Sequence, residues 1–121
     1  MTKTILSVDD SKPIRDMVTF TLEPEGFRVV CAENGQDGLD KLRAERPDLV
    51  FTDLNMPVMD GITFITKARA EAAGSGIPIV MLTTESAPEM KEKGKAAGAT
   101  GWLNKPFDAD KLIAVTRKLL G

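Results

Sequence analysis

The sequence predicts an α/β domain in which five helices flank a doubly wound sheet of five parallel strands. Three observations lead to this prediction. Short runs rich in Val, Ile and Leu alternate with amphipathic segments, the 121 residues match the length of one ordinary domain, and no linker or repeat divides them. Strands that alternate with helices form parallel sheets, because each helix carries the chain back to the start of the next strand. The expected strand order is 2-1-3-4-5, a common order for sheets of this type.

The strands are predicted from short apolar runs bounded by charged or turn-forming residues. A strand buried on both faces reads as a continuous apolar run rather than an alternating one. The predicted strands cover residues 5–8, 29–32, 49–52, 79–82 and 101–103.

The first three helices are predicted from apolar residues at helical spacing. The first begins near Ser11 and has Pro13 in its first turn, where a backbone donor is not needed. The second covers residues 36–45, and Pro47 stops it. The third is expected to end at the Gly-Ser-Gly run of residues 74–76. Its predicted inner row is Ile62, Ile65, Ala68 and Ala72.

The last two helices differ in predicted stability. In residues 89–97 only Met90 is a large apolar residue on the inner side, and Gly94 costs about 1 kcal/mol relative to alanine. We therefore expect this helix to be the most mobile. The last helix begins at Asp108, a favourable N-cap, and Phe107 and Leu112 stand at the positions of a hydrophobic staple.

Composition excludes several classes of function. The chain has 16 basic and 18 acidic residues and a net charge of −2, so it lacks the basic field that nonspecific nucleic-acid binding requires. No apolar stretch approaches the ~20 residues of a membrane span, and the N-terminus lacks the apolar segment of a signal peptide. The single cysteine, Cys31, cannot form an internal disulfide, which is typical of a reducing compartment. We expect a cytoplasmic protein that binds neither nucleic acid nor membrane.

The sequence contains no histidine, which excludes catalytic triads, histidine metal ligands and a phosphohistidine made on this chain. It also lacks the GxxxxGK[ST] motif of nucleotide-hydrolysing P-loops. Any chemistry must therefore come from carboxylates, hydroxyls, lysines or backbone groups.

Polar side chains follow four predicted strands at their carboxyl ends, where the functional crevice of such sheets lies. Asp9 and Asp10 follow the first strand, and Asp53 follows the third. Because these strands are neighbours in the predicted order, the three carboxylates should converge. Thr83 and Lys105, which follow the fourth and fifth strands, should place a hydroxyl and an ammonium beside them.

Converging carboxylates repel one another, by about 4 kcal/mol for two charges ~4 Å apart at an effective dielectric of about 20. Either one of them takes up a proton or a cation neutralises the group. The candidate ligands are hard oxygens, which favours Mg²⁺ over zinc. A carboxylate beside Mg²⁺, a hydroxyl and a lysine is suited to accept a phosphoryl group as an acyl phosphate.

Four segments now resemble a known family: VDD at 8–10, DLNMPVMDG at 53–61, MLTTES at 81–86 and GWLNKPF at 101–107. In order and spacing they are similar to the receiver domain of two-component response regulators, and most of all to stand-alone, CheY-like chemotaxis regulators. The resemblance covers essentially the whole chain. It implies a flavodoxin-like fold and a single receiver domain over residues 1–121, without an output domain.

The resemblance also implies the roles of the acidic residues. Asp53 would be the phosphoacceptor. Asp10, Asp53 and the backbone carbonyl of Asn55 would bind Mg²⁺ directly, and Asp9 would bind it through water.

The remaining site residues are expected to bind the phosphoryl group and report its presence. Thr83 and Lys105 would each bind a phosphoryl oxygen, and the Lys105–Pro106 peptide would be cis. Movement of Thr83 toward the new oxygens would let the aromatic residue Trp102 turn inward, and a fixed, half-buried Trp102 is the alternative. Asn55 would tune the rate of self-dephosphorylation.

A second tuning position and an output face complete the implied assignment. Glu85 would tune hydrolysis from the other side of the site. The output face would consist of the fourth helix, the fifth strand and the fifth helix. Its expected partner-binding residues are Lys91, Lys95, Trp102 and Lys118.

The resemblance implies a phosphohistidine on a CheA-like kinase as the donor, so a partner supplies the missing histidine. The phosphorylated monomer would bind the flagellar motor switch protein or serve as a phosphate sink. It would not be an enzyme beyond promoting its own phosphorylation and dephosphorylation. The alternatives are a Mg²⁺-dependent phosphatase of the haloacid dehalogenase type, in which an acid would stand where Asn55 does, and a flavodoxin-like binding module with a Gly-rich phosphate loop.

Overall fold

The computed structural model describes residues 2–121 and confirms the predicted alternation of strands and helices. The strands are β1 (Thr4–Val8), β2 (Arg28–Ala32), β3 (Leu49–Thr52), β4 (Ile79–Thr83) and β5 (Gly101–Asn104). The helices are α1 (Lys12–Leu22), α2 (Gly35–Glu45), α3 (Gly61–Arg69), α4 (Pro88–Ala97) and α5 (Ala109–Leu120). Within residues 2–121, none of the helices has the length and apolar character needed to cross a membrane.

The sheet has the predicted order, β2-β1-β3-β4-β5, and all its strands pair in parallel. The order reverses between β1 and β3, so the crevice at the carboxyl ends of these two strands is the expected functional site. In the register of this pair Val8 stands opposite Thr52. The next residues, Asp9 and Asp53, therefore leave the sheet side by side.

Among the residues that the structure describes, side-chain caps begin four of the five helices. In each case an oxygen of the N-cap side chain accepts a hydrogen bond from the backbone N–H three residues further on. Such caps satisfy amides that have no partner within the helix. These N-caps are Ser11, Asn34, Asp60 and Asp108.

The third helix is shorter than predicted. α3 ends at Arg69, and Ala72 is exposed at the start of a separate 3-10 turn, Ala72–Gly74. Gly74 is buried so close to the carbonyl oxygen of Ala68 that a Cβ would collide with it, and the Arg69 guanidinium binds the carbonyls of Gly74 and Ile77. These contacts fold the chain into a turn where apolar spacing alone indicated a continuing helix.

The core lies in two layers, one on each face of the sheet. Neighbouring residues of β1 contribute to opposite layers, Ile5 to one and Leu6 to the other. Helices α2 and α3 cover the layer of Leu6, where Phe64 is fully buried, and α1 and α5 cover the layer of Ile5 with Val18 and Leu112. This two-sided burial explains why the strands read as continuous apolar runs.

Candidate phosphoacceptor site

The carboxylates of Asp9, Asp10 and Asp53 form one cluster at the carboxyl end of the sheet, as predicted. One oxygen from each lies within 4.8 Å of the others. The backbone places them, because the N–H of Asp53 donates to the carbonyl of Val8 (2.9 Å) and the N–H of Asp9 donates to that of Ala32 (3.0 Å). Asp9 and Asp53 are buried, whereas Asp10 is exposed.

Local hydrogen bonds orient two of these carboxylates. Oδ1 of Asp9 accepts the backbone N–H of Ser11 at 2.9 Å, and Oδ1 of Asp53 accepts that of Leu54 at 2.8 Å. The other oxygen of each carboxylate, Oδ2, faces the ammonium of Lys105. The apolar run 49–52 thus ends in a carboxylate that is mostly buried but has one oxygen directed at the cluster.

Lys105 brings a positive charge to the cluster from the far edge of the sheet. It follows β5, and its backbone N–H donates to the carbonyl of Thr83 at 2.8 Å. The Lys105–Pro106 peptide is cis, as predicted. The Lys105 Nζ lies 2.8 Å from Oδ2 of Asp9 and 3.5 Å from Oδ2 of Asp53.

The net charge of the site is negative, with three carboxylates and one ammonium. Burial raises the pKa of Asp9 above its ordinary value, and the hydrogen bond from Lys105 offsets only part of this effect. One ammonium faces three carboxylates, so either a proton on one of them or a further cation has to balance the remaining charge. The donor set consists of carboxylate oxygens within reach of one another, and it therefore fits a hard cation such as Mg²⁺.

Two contacts that support the site were not predicted from the sequence. Arg15, in the first turns of α1, donates from Nη1 to the carbonyl of Asp9 at 2.6 Å. Gly61 begins α3 so close to the carbonyl oxygen of Asp53 that a Cβ would collide with it. The glycine that ends DLNMPVMDG was a visible signal for such an approach, but no sequence signal marked Arg15.

Thr83 and Trp102 are connected through Glu85. Thr83 is fully buried at the end of β4, and its hydroxyl accepts the backbone N–H of Glu85 at 3.2 Å. The carbonyl of Glu85 accepts the indole N–H of Trp102 at 3.0 Å. The Glu85 carboxylate also accepts the N–H of Ala87, just before α4. The loop between β4 and α4 therefore contacts both predicted switch residues.

The residues predicted for the output face lie around β5. Lys91, Lys95 and Trp102 line a cavity of about 220 Å³ between α4 and β5. Trp102 and Lys118 line a second cavity, of about 200 Å³, between β5 and α5. The structure thus brings the four residues together on one side of the molecule.

Comparison with known proteins identifies the family. The profile of the response regulator receiver domain matches residues 5–117. The chain belongs to the response regulator receiver family. The acidic cluster Asp9, Asp10 and Asp53 is the arrangement typical of the metal site of this family.

Two solved structures share the fold over nearly the full length of both chains. The chemotaxis protein CheY4 of Vibrio cholerae is 43% identical, with a TM-score of 0.95 and coverage of 98% of this chain and 99% of that one. The receiver domain of the sensor histidine kinase PA1611 from Pseudomonas aeruginosa is 26% identical, with a TM-score of 0.91 and coverage of 100% and 99%. That structure holds a magnesium ion in its active site cleft.

One relative is a transcriptional regulatory protein and not a chemotaxis protein. The phosphate regulon transcriptional regulatory protein PhoB of Escherichia coli is 39% identical over 114 residues, which are 94% of this chain and 50% of PhoB. The receiver domain thus spans about half the length of this relative. As a member of the receiver family, the present chain is a phosphorylatable domain of a response regulator.

Proposed function

We propose that this receiver domain accepts a phosphoryl group on Asp53 from a phosphohistidine of a CheA-like histidine kinase and thereby changes its binding to a partner. The observation that carries the proposal is the convergence of Asp9, Asp10, Asp53 and Lys105 at the carboxyl end of the sheet. Groups from β1, β3 and β5 meet there around one carboxylate whose Oδ2 faces a lysine.

In the proposed transfer, an oxygen of Asp53 attacks phosphorus while the bond from phosphorus to the donor imidazole nitrogen breaks. The product is an acyl phosphate, and the bond's electron pair stays on the imidazole. The hydrogen bond from Leu54 occupies Oδ1, so Oδ2 is the freer nucleophile. Lys105 would bind one phosphoryl oxygen and the hydroxyl of Thr83 another, which stabilises the charge on the group in transit.

The donor set of the acidic cluster supports a metal requirement. Asp10, Asp53 and the carbonyl of Asn55 would hold Mg²⁺, with Asp9 acting through water. The bound ion would neutralise charge on the phosphoryl oxygens. Mg²⁺ should therefore raise the urea midpoint of the wild-type protein but not of Asp10→Asn. Equal effects on both would remove Asp10 from the metal site.

The link from Thr83 to Glu85 offers a path for the signal. Movement of the Thr83 hydroxyl toward a phosphoryl oxygen breaks its hydrogen bond with the N–H of Glu85. The Glu85 carboxylate accepts the N–H of Ala87, so the loss of the hydrogen bond between Thr83 and Glu85 alters the start of α4 on the output face. Asn55 and Glu85 stand at the positions that flank the phosphoacceptor in similar receivers, and we propose that they set the lifetime of the acyl phosphate. The domain then acts on its own phosphoryl group and is not an enzyme for other substrates.

The similarity to CheY4 supports a role in chemotaxis. We propose a cytoplasmic, monomeric regulator, with residues 1–121 as one domain, that binds the flagellar motor switch protein or drains phosphate from the kinase. Capture by the motor switch protein only after phosphorylation would support the first role. The similarity to PhoB makes gene regulation, through a further domain, the outcome to exclude.

Incubation with acetyl phosphate and Mg²⁺, read by intact mass, tests the chemistry. We expect one added phosphoryl group on the wild-type protein and none on Asp53→Asn. Asp60→Asn is the matched control, because it changes an acid of the same loop that only caps α3, and asparagine is an equally good cap. Asp60→Asn should be phosphorylated as the wild type is. Release of phosphate from many substrate molecules without a stable adduct would instead indicate a phosphatase.

A further inference from the structure

A glycine in the interior of α4 makes space for an aromatic side chain. Glycine weakens a helix relative to alanine, so Gly94 calls for a structural reason. Within α4, which the structure describes in full, Gly94 is the one buried residue. A Cβ built on it would lie 2.9 Å from Cζ3 of Trp102, well inside normal contact. The indole therefore occupies the space that any other residue at position 94 would need.

The indole is held at its polar end as well. Its N–H donates to the carbonyl of Glu85 at 3.0 Å, and a partly buried indole requires such a partner. Its rings pack against the core layer of Leu6, together with the half-buried Met90 and Ala97 of α4. Trp102 thus has an apolar and a polar contact that fix it in the same position.

The far end of α4 is fixed by an arginine. The Arg69 guanidinium donates to the carbonyl of Gly98, the residue that ends α4, at 3.0 Å from Nε and 2.7 Å from Nη2. It also donates to the hydroxyl of Thr100, just before β5. The helix with the glycine and the strand with the tryptophan are therefore joined at their common connection.

We infer that Gly94 is a positioning residue for the output face, and that it holds Trp102 against α4 before phosphorylation. The indole is then a fixed part of that face and does not swing inward when Asp53 is phosphorylated. The inference rests on the proposed function in assigning Trp102 to the output face and the phosphoryl group to Asp53, whereas the contact of Trp102 with Gly94 does not depend on it. The hydrogen bond between Thr83 and Glu85 becomes the contact that phosphorylation changes.

Fluorescence tests the placement of Trp102 against Gly94 directly, because the sequence contains one tryptophan and no tyrosine. In the unphosphorylated protein we expect Gly94→Ala to shift the emission to longer wavelength and to increase quenching by acrylamide. We also expect a lower urea midpoint, even though alanine favours the helix. Gly76→Ala is the matched control, since a Cβ there would meet nothing within 4 Å, and it should leave the emission wavelength and the acrylamide quenching unchanged.

The same substitution in a Trp102→Phe variant keeps the test decisive if Gly94→Ala alone folds poorly. In Trp102→Phe the smaller ring leaves room for a methyl group, so Gly94→Ala should now raise the urea midpoint. A higher urea midpoint for Gly94→Ala in both backgrounds, with unchanged emission of the variant that retains Trp102, would overturn the inference.

Acetyl phosphate with Mg²⁺ should leave the acrylamide quenching of the wild-type protein unchanged once intact mass shows phosphorylation. A marked change in quenching would mean that the indole does move. Failure to phosphorylate Asp53 would count against the proposed function alone, because the variant measurements do not require it.

Discussion

Lys105 and Asp9 are 96 positions apart in the sequence, and their side chains form an ion pair in which Nζ lies 2.8 Å from Oδ2. Both side chains are nearly buried, with 12% and 3% of their surface exposed. The same ammonium lies 3.5 Å from Oδ2 of Asp53. One lysine therefore compensates two of the three carboxylates on which the proposed chemistry depends.

Removal of this ammonium should destabilise the fold. Lys105→Met keeps the length of the side chain but leaves buried carboxylates without their cation, so we expect unfolding free energy to fall by about 2 kcal/mol in buffer with EDTA. Urea denaturation measures the change. Lys111→Met, at an exposed position on α5, should have almost no effect. Equal stability of the two variants would show that the ion pair contributes little.

The buried acid should make stability depend on pH. Burial raises the pKa of Asp9 above its ordinary 3.8, so the folded chain binds this proton more tightly than the unfolded chain. The resulting stability is fully present below pH 3.8 and is lost as the pH rises through the folded-state pKa. We therefore expect Asp9→Asn, without Mg²⁺, to be about 1 kcal/mol more stable than the wild type at neutral pH.

The pH profile provides the control for this prediction. The advantage of Asp9→Asn should shrink toward zero as the pH falls toward 3.8, where the wild-type carboxyl is also protonated. An advantage that stays constant over the whole range would indicate a packing effect unrelated to charge.

A strained turn lies in the loop between β3 and α3. Val58 has φ of 71°, and the N–H of Met59 donates to the carbonyl of Pro57 at 2.7 Å, which makes Val58 the centre of a γ-turn. A β-branched residue in this region is strained by about 1–3 kcal/mol. Because the side chain is 79% exposed, its removal loses little packing.

Glycine should relieve this strain. We expect Val58→Gly to raise the unfolding free energy by about 1 kcal/mol, and Val58→Ala, which keeps a Cβ, to give a smaller gain. Denaturation of the three proteins checks the order. A loss of stability in Val58→Gly would mean that the isopropyl group makes a stabilising contact.

Helix α4 should open more readily than α5. Gly94 is the one buried residue of α4, whereas α5 buries Leu112 and Thr116 and begins with the Asp108 cap. Local opening is easiest where few apolar contacts hold an element. Amide hydrogen exchange should therefore be faster in residues 89–97 than in the interior of α5. Equal protection of the two helices would contradict the expectation.

Local sequence patterns were sufficient for the sheet and for the residues at its carboxyl edge. Asp9, Asp53 and Lys105 could be placed together because parallel strands end at the same edge, whatever their distance along the chain. The early end of α3 at Arg69 could not be predicted, because it depends on hydrogen bonds from its guanidinium to backbone carbonyls that only the folded chain brings near.

Gly94 of α4 is a second residue whose role could not be predicted from the sequence. The sequence marked Gly94 as a weakness of the helix, and the structure shows that it accommodates Trp102. A contact between a helix and the next strand leaves no periodic signal in either segment. Such pairs become visible only when the packing distance is known.

In the proposed reaction Asp53, and no other acid of the cluster, carries the phosphoryl group. Borohydride converts an aspartyl phosphate into homoserine, so reduction of the acetyl phosphate-treated protein followed by peptide mass spectrometry locates the modified residue. We predict homoserine at position 53 and unmodified Asp9, Asp10 and Asp60. Homoserine at any of those three positions, with Asp53 intact, would contradict the account.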